Sequence, residues 1–344
     1  MEDHYGQIIL AALRGEPVRV PDRLHADLLF WKICEHGLAG LLADVQRGAA
    51  PTPPLPEFAD RVKAVASAQE ASVDSNLAAA RDVAGALLRH EIPAVFVKGA
   101  ALASSIYPRP GQRPFGDLDL LVHRDRLLAA CAVLGSLGFL PDPDQVLSPM
   151  ETALVRQTPG TLPVAIDLHW DFTEQDRLQA AVRVPVLDIL SRRRTIGGIP
   201  IPSLEDSLLL ASANLVRSRV DRMILILDFV RMLAARPDWD AALSRAASWR
   251  LSTALWLGLS LAERLFGTAV PARVQSALAP AGWRRRWITD LLSGSSLWAR
   301  RKVRHRIVAY GLPLLCADSI GDIALALGAG RRRVLTKLGF PAPR

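Results

Sequence analysis

The chain has 344 residues, of which 50% are hydrophobic and 22% charged, and a formal net charge of +8. This balance excludes a disordered or low-complexity chain, and the length admits a sizeable core and two or three domains. Three scattered cysteines, Cys34, Cys131 and Cys316, exclude a disulfide framework or a cysteine-based zinc site and fit a reducing, cytoplasmic setting.

Residues 1–48 carry apolar positions at helical spacing, Ile8, Ile9, Ala12 and Leu13, then Leu24, Leu28, Leu29, Ile33, Leu38, Leu41 and Leu42. Trp31 and Cys34 read as core residues, and His25 and His36 as structural. No basic stretch leads into an apolar run at the N-terminus, so no leader is expected. Ala49 to Glu57 is a stiff proline-rich connector. Phe58 to His90 reads as one long helix, with an apolar stripe of Leu77, Ala80, Ala84, Leu87 and Leu88 in its second half. Ile92-Pro93 breaks it, and Ala94 to Val97 reads as a short buried strand.

Lys98-Gly99 follows that strand directly and leads into a helix predicted from Ala100 to Tyr107. A glycine between strand and helix lets backbone N–H groups approach an anion, and a helix N-terminus favours phosphate. Lys98 either reaches such a phosphate or faces solvent. The loop Pro108 to Pro114 holds Arg109 and Arg113, which are either phosphate ligands or solvated loop residues.

Gly116-Asp117-Leu118-Asp119-Leu120-Leu121-Val122 has the alternation of a strand. Residues i and i+2 share a face, so Asp117 and Asp119 stand side by side, roughly 6.6 Å apart at the Cα atoms, and Leu118, Leu120 and Val122 face the core. Adjacent carboxylates repel unless a cation intervenes, and Mg²⁺ suits carboxylates combined with phosphates. Val164 to Trp170 alternates in the same way, with Asp167 and His169 on one face. If the two strands are neighbours, three carboxylates converge above an apolar floor. Otherwise the Asp-x-Asp is a turn or a solvated edge.

Between these strands, Arg124 to Leu137 reads as an amphipathic helix, and Phe139-Leu140 and Thr152 to Gln157 as strands. Arg194 to Ile201 reads as a hairpin around Gly197-Gly198. Ser203-Leu204-Glu205-Asp206 resembles a capping box and opens a helical remainder. Leu208 to Arg217, Asp221 to Ala235, Asp240 to Trp249 and Ser252 to Phe266 are its predicted helices, followed by helical segments at 284–310 and 314–338. The apolar run Gly311 to Gly330 contains Asp318 and Asp322, so it reads as a buried helical hairpin and not a membrane span. Residues 283–310 are rich in arginine and lysine, with Trp283, Trp287 and Trp298 among them. They form either a surface for an anionic partner or a packed Trp–Arg region.

Lys98 to Leu102, Tyr107, Arg113, Gly116 to Val122 and Ile166 to Trp170 together resemble the uncharacterised nucleotidyltransferase family of the DNA polymerase β-like superfamily. The likeness spans roughly residues 30 to 235. It implies an α/β (α+β), helix-rich fold: a small mixed sheet in a core at 91–202, an N-terminal helical region at 1–90 and a C-terminal one at 203–344. It implies that Asp117, Asp119 and Asp167 bind two Mg²⁺ ions, with Mn²⁺ as a substitute, and do the catalytic work. Gly99 resembles the glycine of the phosphate turn, and Lys98, Gly116 and Arg113 are read as nucleotide-binding beside it; His169, which has no standard role in the superfamily, either contacts substrate, orients an acid or packs tightly. The substrates implied are an NTP, with ATP expected, and an acceptor the sequence does not name. One departure stands out: the superfamily's Gly-Ser is Gly99-Ala100 here, so the serine hydroxyl is missing. Two rivals stay open, an Asp-x-Asp glycosyltransferase using a nucleotide sugar and a non-catalytic binding module on the same scaffold.

Overall fold

The computed structural model describes residues 2–14, 16, 23–48, 56–141, 151–157, 160, 162–171, 181–292, 311–325 and 327–328. Four helices come first: α1 (Glu2–Leu13), α2 (Arg23–Glu35), α3 (Ala39–Gly48) and the 34-residue α4 (Pro56–Arg89). The core follows as β1 (Ala94–Phe96), α5 (Lys98–Ser105), β2 (Asp117–Val122), α6 (Leu127–Ser136), β3 (Leu140–Pro141), β4 (Glu151–Arg156) and β5 (Val164–His169). After α7 (Val186–Ser191), the hairpin β6 (Arg194–Ile196) and β7 (Ile199–Ile201) leads to α8 (Leu204–Arg217) and α9 (Met223–Ala234). Helices α10 (Trp239–Trp249), α11 (Ser252–Phe266), α12 (Ala272–Leu278) and α13 (Gly282–Leu291) continue, with shorter helical turns beyond residue 310.

Local chemistry sets several of these boundaries. Helix α4 stops where Glu91 takes a left-handed conformation (φ 54°), Ile92 N–H bonds back to Leu87 O at 2.9 Å, and Pro93 follows. Helix α8 starts at Ser203, whose Oγ accepts from Asp206 N–H at 3.1 Å, as the capping box predicts. The β6–β7 turn has positive φ at both Gly197 and Gly198, the geometry of a tight hairpin.

The sheet runs β1-β2-β5-β4-β3. Its central pair, β2 and β5, is parallel, and the other neighbours are antiparallel. One face packs on α4 and α6: Leu118, Leu120, Val122, Ile166 and Leu168 join Leu77, Val83, Leu87 and Leu134 in a single cluster. Burying such a side chain contributes roughly 1.5–3 kcal/mol, so a one-residue slip of β2 would turn three of them toward the polar side. That cost fixes which face carries the acids.

The opposite face is apolar only at one end. Val95, Val97 and Leu121 enter a second cluster that holds Ile9 and Ile33 from the first helices and Leu208, Phe229 and Leu255 from the last. The N-terminal and C-terminal helical segments thus share one core around the sheet.

Several side chains differ from their expected places. Trp31 is 67% exposed, because Leu29 and Ile33 turn the opposite face of α2 inward. Leu88 is also exposed, one position off the buried Leu87 stripe. His36 is structural as expected: its Nδ1 accepts from Met223 N–H at 3.1 Å, and burial pushes it down to about 4, which keeps the ring neutral. The side chain of His25, the connector at 49–55 and the strongly basic residues 300–306 lie outside the described residues.

Candidate metal centre

The parallel register of β2 and β5 sets Asp119 directly opposite Asp167 and Leu121 opposite His169. On the other side of β5, antiparallel β4 sets Glu151 opposite His169. Adjacent residues across a sheet share a face. Asp119, Asp167, His169 and Glu151 therefore line one polar surface, with Asp117 at its exposed mouth.

His169 sits at the centre of the cluster and is buried, at 4% exposure. Its Nε2 lies 2.9 Å from Asp119 Oδ1 and its Nδ1 lies 3.1 Å from Glu151 Oε2. Burial disfavours a charged ring, but these carboxylates outweigh it and raise its affinity for a proton. Lys98 also reaches Asp119 Oδ1 with its Nζ. Burial pushes Asp119 up, yet Lys98 and His169 prevail and hold it at about 2. Asp167 goes the other way: burial, then the charges of Asp117 and Asp119, push it up to about 6. Desolvation and the Asp119 charge likewise raise Asp117. Acids at one site whose affinities are driven apart in this way are held against their own repulsion.

Among the described residues, one ligand atom each from Asp119, Asp167 and His169 lies within 4.8 Å of the others. Mutual separations of this size suit ligands around one divalent ion, whose cis ligands stand about 3 Å apart at ~2.1 Å bonds. The donor set fits a metal, and a cation is already demanded there: Lys98 supplies one.

The glycine elbow has a packing reason as well. Lys98 takes a left-handed conformation (φ 51°), uncommon for a side-chain-bearing residue, and starts α5 directly after β1. Gly99 is buried, and a Cβ there would come within 2.4 Å of Phe115 Cβ. We expect Gly99→Ala to push α5 away from Phe115, lowering stability by about 1–3 kcal/mol in denaturant titration. Gly116 is exposed with open space where a Cβ would stand, so Gly116→Ala should leave stability unchanged within about 0.5 kcal/mol. No side chain caps the first N–H groups of α5. Beside it, Lys98, Ser207, Asn214 and Leu225 line a cleft between α5, α8 and α9.

Arg113 is the main correction to the sequence reading. It does not point to the mouth of the site. Its Nε and Nη2 bond both oxygens of Asp228 on α9, at 2.7 and 2.9 Å, and both residues are buried. A buried guanidinium needs a planar counter-carboxylate, and Asp228 is the one α9 turns inward. Tyr107 Oη donates to the same carboxylate at 2.8 Å. Arg109 is likewise engaged, by Asp44 on α3. The loop that leads into β2 is thus braced on two sides by these arginines. Arg284 also leaves the basic surface: it is buried and donates to the carbonyls of Leu315 and Ala317. Trp283 and Trp287 are exposed, whereas Trp249 and Trp256 belong to the core.

Glu151 opens β4 one residue before the strand expected from Thr152. The signal was present, since Glu151 shares its alternation phase with Ala153 and Val155.

A small mixed sheet wrapped in helices, with a polar cluster of acids beside a strand-to-helix elbow, is the architecture of a nucleotidyltransferase-like protein. The model of the uncharacterised nucleotidyltransferase family matches residues 23–267, and the chain belongs to that family. It is similar to the crystal structure of an antigenic nucleotidyltransferase-like protein from Paracoccidioides brasiliensis, at 19% identity and a TM-score of 0.39, covering 60% of this chain and 93% of that one. No curated protein matches the sequence. Among the described residues, no helix is long and apolar enough to cross a membrane.

Proposed function

We propose that the protein transfers a nucleoside monophosphate from an NTP, with ATP expected, to an acceptor hydroxyl or phosphate. The observation that carries this reading is the convergence of Asp119, Asp167 and His169 on one face, beside the uncapped start of α5. Asp119 and Asp167 hold divalent cations from the floor of the site, with Asp117 at its mouth. Bound cations supply charge to the phosphoryl group in transit and acidify the acceptor hydroxyl. Asp167 would also help to take the acceptor proton. Lys98, which pairs with Asp119, would be free to bind the phosphates if a cation took that carboxylate. Gly99 and the first N–H groups of α5 then face the triphosphate, taking over part of what a serine at position 100 would do.

The test is to incubate the protein with Mg²⁺ or Mn²⁺, each labelled NTP in turn and a lysate of its source cells. A labelled product that disappears with Asp119→Ala supports the reading; equal labelling by the variant removes it.

One observation favours a second reading. Lys98 already occupies Asp119, and Ala100 lacks the phosphate hydroxyl. On that reading the chain is a non-catalytic module in which lysine replaces the metal permanently. Such a module shows no thermal shift with Mg²⁺ or Mn²⁺, whereas the transferase does. A glycosyltransferase has less support, since a single strand, β1, precedes the Asp-x-Asp in the sheet.

Acid titration gives an independent check. The Asp167 carboxyl keeps its proton to about pH 6 in the folded protein, against an ordinary 3.8, so the native state binds more protons than the unfolded chain between those values. Stability then falls as pH rises through that window. Asp167→Asn should match the wild type near pH 3.5 and melt at a higher temperature above pH 6.5 in chelator. Added divalent cation should close the gap by stabilising the wild type alone.

A further inference from the structure

We infer that His169 is a direct nitrogen ligand of the metal centre, aimed by Glu151, and that this nitrogen makes the centre take Mn²⁺ ahead of Mg²⁺. The inference rests on the metal-dependent reading above and extends it to the residue set and the identity of the ion.

Three observations carry it. The ligand atoms that converge include an imidazole nitrogen: Asp119, Asp167 and His169 form the cluster, while Asp117 stands two residues away at the exposed mouth. Next, the ring has one orientation. Glu151 lies opposite His169 in the β4–β5 register and holds Nδ1 at 3.1 Å, which turns Nε2 toward Asp119 and the acids. A carboxylate gripping one ring nitrogen while the other faces a metal is the usual way that a histidine ligand is fixed in place. Finally, the Nε2 to Asp119 Oδ1 distance of 2.9 Å is close to the edge between neighbouring ligands of an octahedral ion, about 3 Å, so both atoms reach one ion with little movement.

The choice of ion follows from the donor set. Mg²⁺ prefers oxygen alone and holds water tightly. Mn²⁺ accepts carboxylate oxygens equally well and gains from an imidazole as other first-row ions do. On ion binding the Nε2 proton would leave to solvent while the Nδ1 proton stays on the ring, donated to Glu151, so the exchange is one proton for one metal–nitrogen bond.

The experiment uses the full chain with Mn²⁺ and no nucleotide. Pulsed electron paramagnetic resonance on the Mn²⁺-loaded protein should show ¹⁴N modulation from one imidazole. Competition should show Mn²⁺ displacing Mg²⁺ at equal concentration. Glu151→Gln should keep the ¹⁴N signal but lower Mn²⁺ affinity about 10–100-fold. His169→Gln should lose the signal and bring the two ions to similar affinity. Mn²⁺ bound without ¹⁴N modulation, no Mn²⁺ bound at all, or an unchanged Mn²⁺ preference in His169→Gln overturns the inference. Mn²⁺ bound through nitrogen in a protein that transfers no nucleotide overturns the transferase reading and leaves the ligand assignment standing.

Discussion

Asp119→Asn should reduce metal-dependent nucleotidyl transfer about a thousandfold or more per folded molecule. Asp119 is the acid that every cation at the site addresses: Lys98 Nζ and His169 Nε2 both bond its Oδ1. It is also the acid held lowest, at about 2, so it carries its charge at neutral pH. Asparagine keeps the shape and one acceptor oxygen but removes the charge that ties a divalent ion to the floor. Losing several kcal/mol of transition-state stabilisation corresponds to three or more decades of rate. The variant should also lose its thermal shift with Mn²⁺. A rate within tenfold of the wild type would mean that the transferring phosphoryl group is held elsewhere.

The same acid shows what a sequence carries and what it does not. That Asp119 and Leu118 face opposite ways is a local matter, settled by strand alternation and the apolar partners of Leu118. The phase of Asp167 and His169 was legible for the same reason. Which strands lie side by side is not local. The parallel register that puts Asp119 opposite Asp167 joins segments far apart in the chain, and alternation within either strand is silent about it.

Single residues at element edges were harder still. Glu151 opens β4, and starting that strand one residue late hides it. Gly99 looked like a phosphate residue, and only the contact with Phe115 reveals that the backbone needs a glycine there for space. Trp31 was read by type as core, though the positions flanking it already placed the apolar face of α2 elsewhere. The arginines of the 108–114 loop were read from proximity to Asp117 alone, and their partners are far along the chain: Asp228 lies 115 residues from Arg113.

That long-range pair sets the largest expected loss of stability. Arg113→Ala should destabilise the protein by about 3–5 kcal/mol, because it strands the Asp228 carboxylate in the core. Both partners are nearly inaccessible, at 5% and 2%, so water cannot replace the missing guanidinium. Burial works against the charge on Arg113, yet Asp228 more than compensates and raises its proton affinity, so the guanidinium stays charged. Asp228→Ala should cost a similar amount by leaving the guanidinium alone. Tyr107→Phe removes one of the hydrogen bonds to Asp228 and should cost about 1–3 kcal/mol. The joint change Arg113→Met with Asp228→Leu should recover much of the loss, since an apolar pair needs no counter-charge. Denaturant midpoints of the four variants separate a brace from a phosphate ligand. If Arg113→Ala kept its midpoint and lost only nucleotide affinity, the guanidinium would belong to the substrate and not to the loop that carries β2.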